Sequence, residues 1–534
     1  MYKVLILNLL LLLPLMVNGQ EDAWVFFTDK ENVATAIANP NTILTQKAID
    51  RKNRYGVAID ARDVPVNELY ISQVKSTTGI TILAKSKWFN AVHVRGSQTA
   101  IETLENLSFV SRVEFADRSL NATKSFQQKQ EFKLEGELTN FNYGSAANQI
   151  EMINGDELHL LDYTGAGMII AVLDSGFPNV NTMLGFERLR SAGNILGTFD
   201  FVNRHADVYT ANSNHGTLVL SDMAGYVENQ FVGTAPDASY YLFITEDASS
   251  ETPVEESYWV EAAERADSLG VDVINTSLGY SDFDGTKYDY SQADMNGATA
   301  FITRGANIAF EKGMLLITSA GNSGNWGVTA PADSPNVLSI GAVDASGNYV
   351  SFSSVGTAHQ PSQKPDVVAQ GGLSYVITES NTIAQANGTS FSAPILAGAI
   401  TCLWQAIPEK TNAEIMQLVR ESASQYTTPD NFKGYGIPDL QSALNVALSA
   451  NSFTADNENF HLFPNPVNAK LYIKWPSNTA TCALHLYNTL GKYITSYSVS
   501  QNKSMVDVSF LSKGLYIAKV ETETMAKVFK IVKQ

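Results

Sequence analysis

Residues 168–176 read "MIIAVLDSG", and this stretch decides the fold. An unbroken apolar run ends in a carboxylate, Asp174. A strand with one wet face would alternate apolar and polar, whereas an unbroken run belongs to a parallel strand buried on both faces. The same kind of run recurs downstream in "ASYYLFIT" (238–245), "VDVINTSLG" (271–279), "MLLITSAGN" (314–322) and "VLSIGAVD" (337–344). Helix-like stretches separate several of them, including "VEESYWVEAAERADSLG" (254–270) and one ending near "IAFEKG" (308–313). Strand and helix in alternation predict an α/β fold with a doubly wound, mainly parallel sheet. In such sheets function gathers at the carboxyl ends of the strands, which is where Asp174 stands.

Working outward, the flanks differ in texture. Residues 1–19 have Lys3, an apolar stretch over 4–17, and small residues Val17 and Gly19 before Gln20, the layout of a cleavable export signal. The apolar stretch is shorter than the roughly 20 residues a membrane span needs. Residues 21–120 carry strand-like runs, "AWVFFTD" (23–29), "ITILAKSKWFNAVHVRG" (80–96) and "VSRVEFAD" (110–117). A helix-like "SQTAIETLENL" (97–107) is capped by Ser97, so this is a small α+β module. The polar stretch 121–149 reads as a linker open to proteolysis. From about 455 the chain turns to short strands with turn signals, a small β-sandwich module. The boundaries expected are 1–19, 20–125, 126–452 and 455–534.

With 36 basic against 54 acidic residues and a net charge of −18, the chain lacks the basic footprint of a nucleic-acid binder. Its two cysteines, Cys402 and Cys482, make no disulfide framework and no zinc-like spacing, and Cys402 sits in the apolar "AITCLW" as a buried thiol.

Chemistry concentrates at four places. Asp174 ends the first run, and His215 begins a helix in "NSNHGTLVLSDMAG" (212–225). Asn322 follows a strand in a Gly-rich turn, and Ser390 lies in "NGTSFSAPILAG" (387–398). Each has a plain structural role open to it: a strand-end acid, a buried histidine, a turn residue, a helix cap. Together they make one machine, with a hydroxyl nucleophile, an imidazole base, a carboxylate that orients the base and an amide donor for an oxyanion. The chain order Asp174, His215, Ser390 differs from the Ser, Asp, His order of α/β-hydrolases, and their G-x-S-x-G elbow is missing, since "GTSFS" lacks the second glycine.

The segments "AVLDSG", "NHGT", "NTSLG", "SAGNSG" and "GTSFSAP", in this order, resemble the signature segments of the subtilisin-like serine peptidases over residues 150–450. The resemblance implies that Asp174 orients His215, His215 is the general base, Ser390 the nucleophile and Asn322 the side-chain oxyanion donor, with no cofactor in the chemistry. Ser277, Leu278 and Gly279 are similar to the family's substrate-binding strand, which pairs with extended peptide. Pro394, read as lying in the first turn of its helix, is expected to lose no hydrogen bond there. "SDFDGTKYDYSQADMNG" (281–297) is an insertion relative to the pattern. Its Asp282, Asp284 and Asp289 are open to three readings: a solvated acidic loop, a preference for basic substrates, or structural calcium. Residues 21–120 resemble the propeptides of such peptidases. "FPNPV", "LYNTLGK", "LSKGLYIAKV" and "KVFKIVKQ" resemble the C-terminal sorting domains of type IX secretion in Bacteroidota. The expectation is a secreted serine endopeptidase made as a zymogen, with peptide substrates, its own propeptide and the type IX machinery as partners. The competing reading is an inactive secreted binding protein on the same fold.

Overall fold

Seven parallel strands form the central sheet, in the order Val367–Gln370, Leu338–Val343, Leu315–Ser319, Val273–Thr276, Ile169–Asp174, Ser239–Ile244, Ile195–Asp200. The computed structural model describes residues 19–121, 141–450, 461–474, 481–488, 492–500, 504–522 and 526–534. The export signal and most of the expected linker therefore lie outside the described residues. The chain falls into two units, Met1–Leu448 and Ser449–Gln534.

Every residue of Ile169–Asp174 is buried, as its unbroken apolar run requires. The chain runs from this strand to one edge of the sheet and later returns to build the other. The direction therefore reverses between Ile169–Asp174 and Val273–Thr276. Leu173 pairs with Thr276 across that junction, so Asp174 and Ser277 emerge side by side. A switch point of this kind opens a crevice beyond the strand ends. The helix Thr389–Ala406 packs over the sheet beside the helix His215–Ala224. All but one of its residues are buried, which suits an all-round apolar sequence to the core.

The 20–120 region is a four-stranded antiparallel sheet in the order Thr81–Ser86, Ala91–Ser97, Gln20–Phe27, Val110–Phe115. Ser97 caps its helix as expected, accepting from the Ala100 N–H. The first strand is apolar on both faces because it serves two cores. Ala23, Val25 and Phe27 pack inside the module, while Trp24 and Phe26 point into the core of the α/β region. Trp24 stacks on Phe301 with ring centroids 4.2 Å apart and donates from Nε1 to Ser257 Oγ at 2.8 Å. The helix Val254–Leu269 receives the rest of the module. Glu264 accepts from Ser86 Oγ and from the backbone N–H groups of Lys87 and Trp88. Buried Lys52 pairs with Asp267 at 2.8 Å, and Lys312 with Asp63 at 2.8 Å.

One sequence expectation needs correcting and another refining. Residues 141–149 are not linker: Tyr143 is buried against Ile150 and Val232, and its hydroxyl contacts His159 Nδ1 at 2.9 Å. In the 281–297 insertion Asp282 and Asp284 are exposed, as a solvated acidic loop requires, but other residues of the loop grip the first module. Lys287 pairs with Glu21, Tyr288 OH accepts from the Asp22 N–H, and Arg118 meets Asp294 at 2.7 Å while lying over the Tyr290 ring.

The second unit contains a three-stranded sheet (His461–Phe463, Lys470–Lys474, Met505–Asp507). Its other sheet has four strands, in the order Tyr493–Ser500, Thr481–Asn488, Gly514–Glu521, Ala526–Lys533. Leu471, Ile473 and Val506 from one sheet share a core with Leu484, Leu486, Ala518 and Val520 from the other, the sandwich expected. Cys402 and Cys482 are both free and buried.

Candidate active site

Asp174, the last residue of its strand, is fully buried. Its Oδ1 accepts from the Ser175 N–H at 2.8 Å and faces His215 Nδ1 at 2.8 Å. Its Oδ2, also buried, accepts no hydrogen bond from the protein. The approach of His215 depends on the residue after it. A Cβ at Gly216 would lie 2.5 Å from the Gly176 carbonyl oxygen and 3.0 Å from Asp174 Cβ, so only glycine lets the helix start this close to the strand end. Burial pulls the His215 imidazole down, but the Asp174 carboxylate, by charge and hydrogen bond, raises it above its ordinary value. The Nδ1 contact leaves Nε2 as the basic nitrogen, and His215 lines the crevice.

Ser390 is the second residue of the Thr389–Ala406 helix and is 8% exposed. It does not cap that helix. The first N–H, that of Thr389, is taken by Asn322 Oδ1 at 2.9 Å, and Thr389 Oγ1 donates to the same oxygen at 3.0 Å. With Oδ1 doubly occupied, Nδ2 of Asn322 is the free donor, and it lies beside Gly388, whose φ of 152° puts it in a region that favours glycine. Ser392 Oγ donates to the Thr389 carbonyl within the helix, a structural role.

The expectation for Pro394 is overturned. The helix begins at Thr389, so Pro394 is its sixth residue and its absent N–H leaves the Ser390 carbonyl without a helical partner. That carbonyl accepts instead from Ser277 Oγ at 2.9 Å. In return Ser390 Oγ donates to the Ser277 carbonyl at 3.3 Å. The proline thus ties the Ser390 turn to the stretch containing Ser277, Leu278 and Gly279. A Cβ at Gly279 would fall 2.2 Å from Thr329 Oγ1, which keeps this stretch flush against its neighbour.

The structure therefore joins Asp174 to His215, Asn322 to the Ser390 turn, and Ser390 to Ser277. The Ser390 hydroxyl is turned to the Ser277 carbonyl rather than hydrogen-bonded to His215. Such hydroxyl–imidazole bonds commonly tighten only when substrate is present. Sequence reasoning did not single out Glu246. It lines the crevice beside His215, and burial with the Asp174 and Glu251 charges pushes its carboxyl up to about 8. Its signal was only a carboxylate two residues past the Ser239–Ile244 strand end.

The insertion's acids do not fit a metal. Asp282 Oδ2 accepts from Ser281 Oγ and Asp289 Oδ1 from the Phe283 N–H. Among the described residues no group of three or more His, Cys, Asp or Glu could hold an ion.

Three family profiles match the chain: a peptidase S8 propeptide domain of Bacteroidota over residues 22–133, the subtilase family over 165–436, and a secretion system C-terminal sorting domain over 461–534. Among known proteins, subtilisin NAT of Bacillus subtilis subsp. natto is 31% identical over 299 residues, which cover 55% of this chain and 70% of that protein. Subtilisin E of Bacillus subtilis (strain 168) is 30% identical over 299 residues, with the same 55% and 70% coverage. A subtilisin of Bacillus pumilus is 29% identical over 299 residues, 55% of this chain and 97% of that protein.

Proposed function

Because this chain belongs to the subtilase family, we propose that Asp174, His215 and Ser390 are its catalytic triad and Asn322 its side-chain oxyanion donor. The protein is a secreted serine endopeptidase made as a zymogen, and its reaction needs no cofactor. His215 Nε2 takes the Ser390 hydroxyl proton as Oγ attacks the peptide carbonyl, and Asp174 holds the imidazolium that forms. The oxyanion is met by Asn322 Nδ2 and the Ser390 N–H at the start of a helix whose dipole favours negative charge. His215 then protonates the leaving amine, and water repeats the cycle on the acyl-enzyme. Ser277, Leu278 and Gly279 pair with substrate backbone. We place the module boundaries at 1–19, 20–125, 126–452 and 455–534, and assign no structural calcium to the 281–297 loop.

The observation that carries this reading is the 2.8 Å Asp174–His215 contact at the sheet's switch point. Its test is a fluorophosphonate probe on the processed enzyme. The label falls on Ser390, disappears in Ser390→Ala, and forms faster as pH rises through a value above 6.5, because the raised imidazole must be neutral to act as base. A processed enzyme that takes no label, or keeps it in Ser390→Ala, sinks the assignment.

A further inference from the structure

The crevice beside His215 is walled by acid. A cavity of about 580 Å³ opens between His215 on one side and Ser277, Leu278 and Gly279 on the other. Its remaining lining is residues 246–251, Asp284, Ser175 and Ser213. Of the thirteen lining residues four are carboxylates, Glu246, Asp247, Glu251 and Asp284, and none is Lys or Arg. Asp247 and Asp284 also brace the wall, accepting from the Ser249 and Glu251 N–H groups. Next to it Glu255 is 1% exposed, its carboxyl has no side-chain partner and is helped only by the Thr252 backbone, and the charges acting on it are those of Glu251, Glu246 and Asp247. Burial and this crowding push Glu251 up to about 7 and Glu255 to about 9.

Carboxylates gathered this closely, with no Lys or Arg among the lining residues and His215 the only potential cation there, raise one another's free energy unless they take up protons or a further positive group joins them. A metal ion is a poor fit, since no three of these groups converge on one point. A long side chain ending in a cation fits, because a cavity of this volume admits an aliphatic stem whose charged head then meets the carboxylates of the lining. We propose that this cavity selects peptides carrying Lys or Arg near the scissile bond on its acyl side, with Glu246 and Glu251 as the specificity-determining carboxylates. The inference rests on the peptidase reading above, in which Ser277, Leu278 and Gly279 pair with substrate backbone; taking that backbone as the acyl side lays its side chains against this wall.

The test uses processed enzyme and sets of peptides that differ only in Lys, Arg, Gln, Leu or Glu at each of the four positions preceding the scissile bond. At one position kcat/KM for Lys or Arg exceeds that for Gln by about tenfold or more, and added salt shrinks the ratio. The ratio collapses to about twofold or less in Glu246→Gln/Glu251→Gln. Glu251 is only partly buried, so Glu251→Lys provides a second variant on the open wall, and there the preference shifts toward Glu-bearing peptides. Turnover that is indifferent to the basic residue, or a preference intact in both variants, overturns the pocket alone. No turnover of any peptide, together with an unlabelled Ser390, overturns the peptidase reading and the pocket with it.

Discussion

Asn322 owes its orientation to Thr389. An exposed asparagine amide is free to flip, but here two donors from one residue hold Oδ1 and leave Nδ2 for the oxyanion role proposed for it. Asn322→Ala is therefore expected to lower kcat by about 10²–10³ with little change in KM, a range taken from a subtilisin itself rather than calculated from this geometry. Steady-state kinetics on one peptide checks it, and an equal loss in KM would argue for a binding role instead. The four proposed groups were legible because each stands at a strand end or helix start in a distinctive segment. Glu246, Glu251 and Thr389 were not. A carboxylate past a strand end has no signature until the fold sets it beside His215, and Thr389 reads simply as the residue before a nucleophile.

Between the Val273–Thr276 strand and the Thr389–Ala406 helix, one proline changes the wiring. Sequence placed Pro394 correctly in a helix but counted it within the first turn, whereas it is the sixth residue, where a missing N–H falls on the Ser390 carbonyl. With the start at Thr389, the Ser390 carbonyl depends on Ser277. Ser277→Ala should then cost roughly 1–3 kcal/mol of stability by stranding a buried carbonyl. In a Pro394→Ala background, where the helix supplies an N–H, the same change should cost clearly less. Denaturant melts of the four proteins on Ser390→Ala zymogen measure this coupling, and additive effects would refute it. The strand Gln20–Phe27 teaches a similar lesson. Its apolar run read only as a strand of a small module, and it is the fold that shows Trp24 and Phe26 buried by a different region of the chain.

Two units, each with its own core, make up the whole chain. The order of modules was readable from changes in texture along the sequence, whereas the grip of the 281–297 loop on the first module was not, since it joins residues more than 160 positions apart. Removal of residues 461–534 is expected to abolish export across the outer membrane while the first unit still folds. Immunoblots of cell and culture fractions, with a melting curve of the retained protein, check this, and undiminished secretion would count against it. The proposed machinery hangs from separate strand ends and a buried helix, and its parts span residues 174–390 of the linear chain. Threaded through a pore as an extended polymer, such a chain is toothless, because no short piece of it holds a whole cutting edge. Only the finished sheet can bite, so the architecture doubles as a safety catch for the cell that makes it.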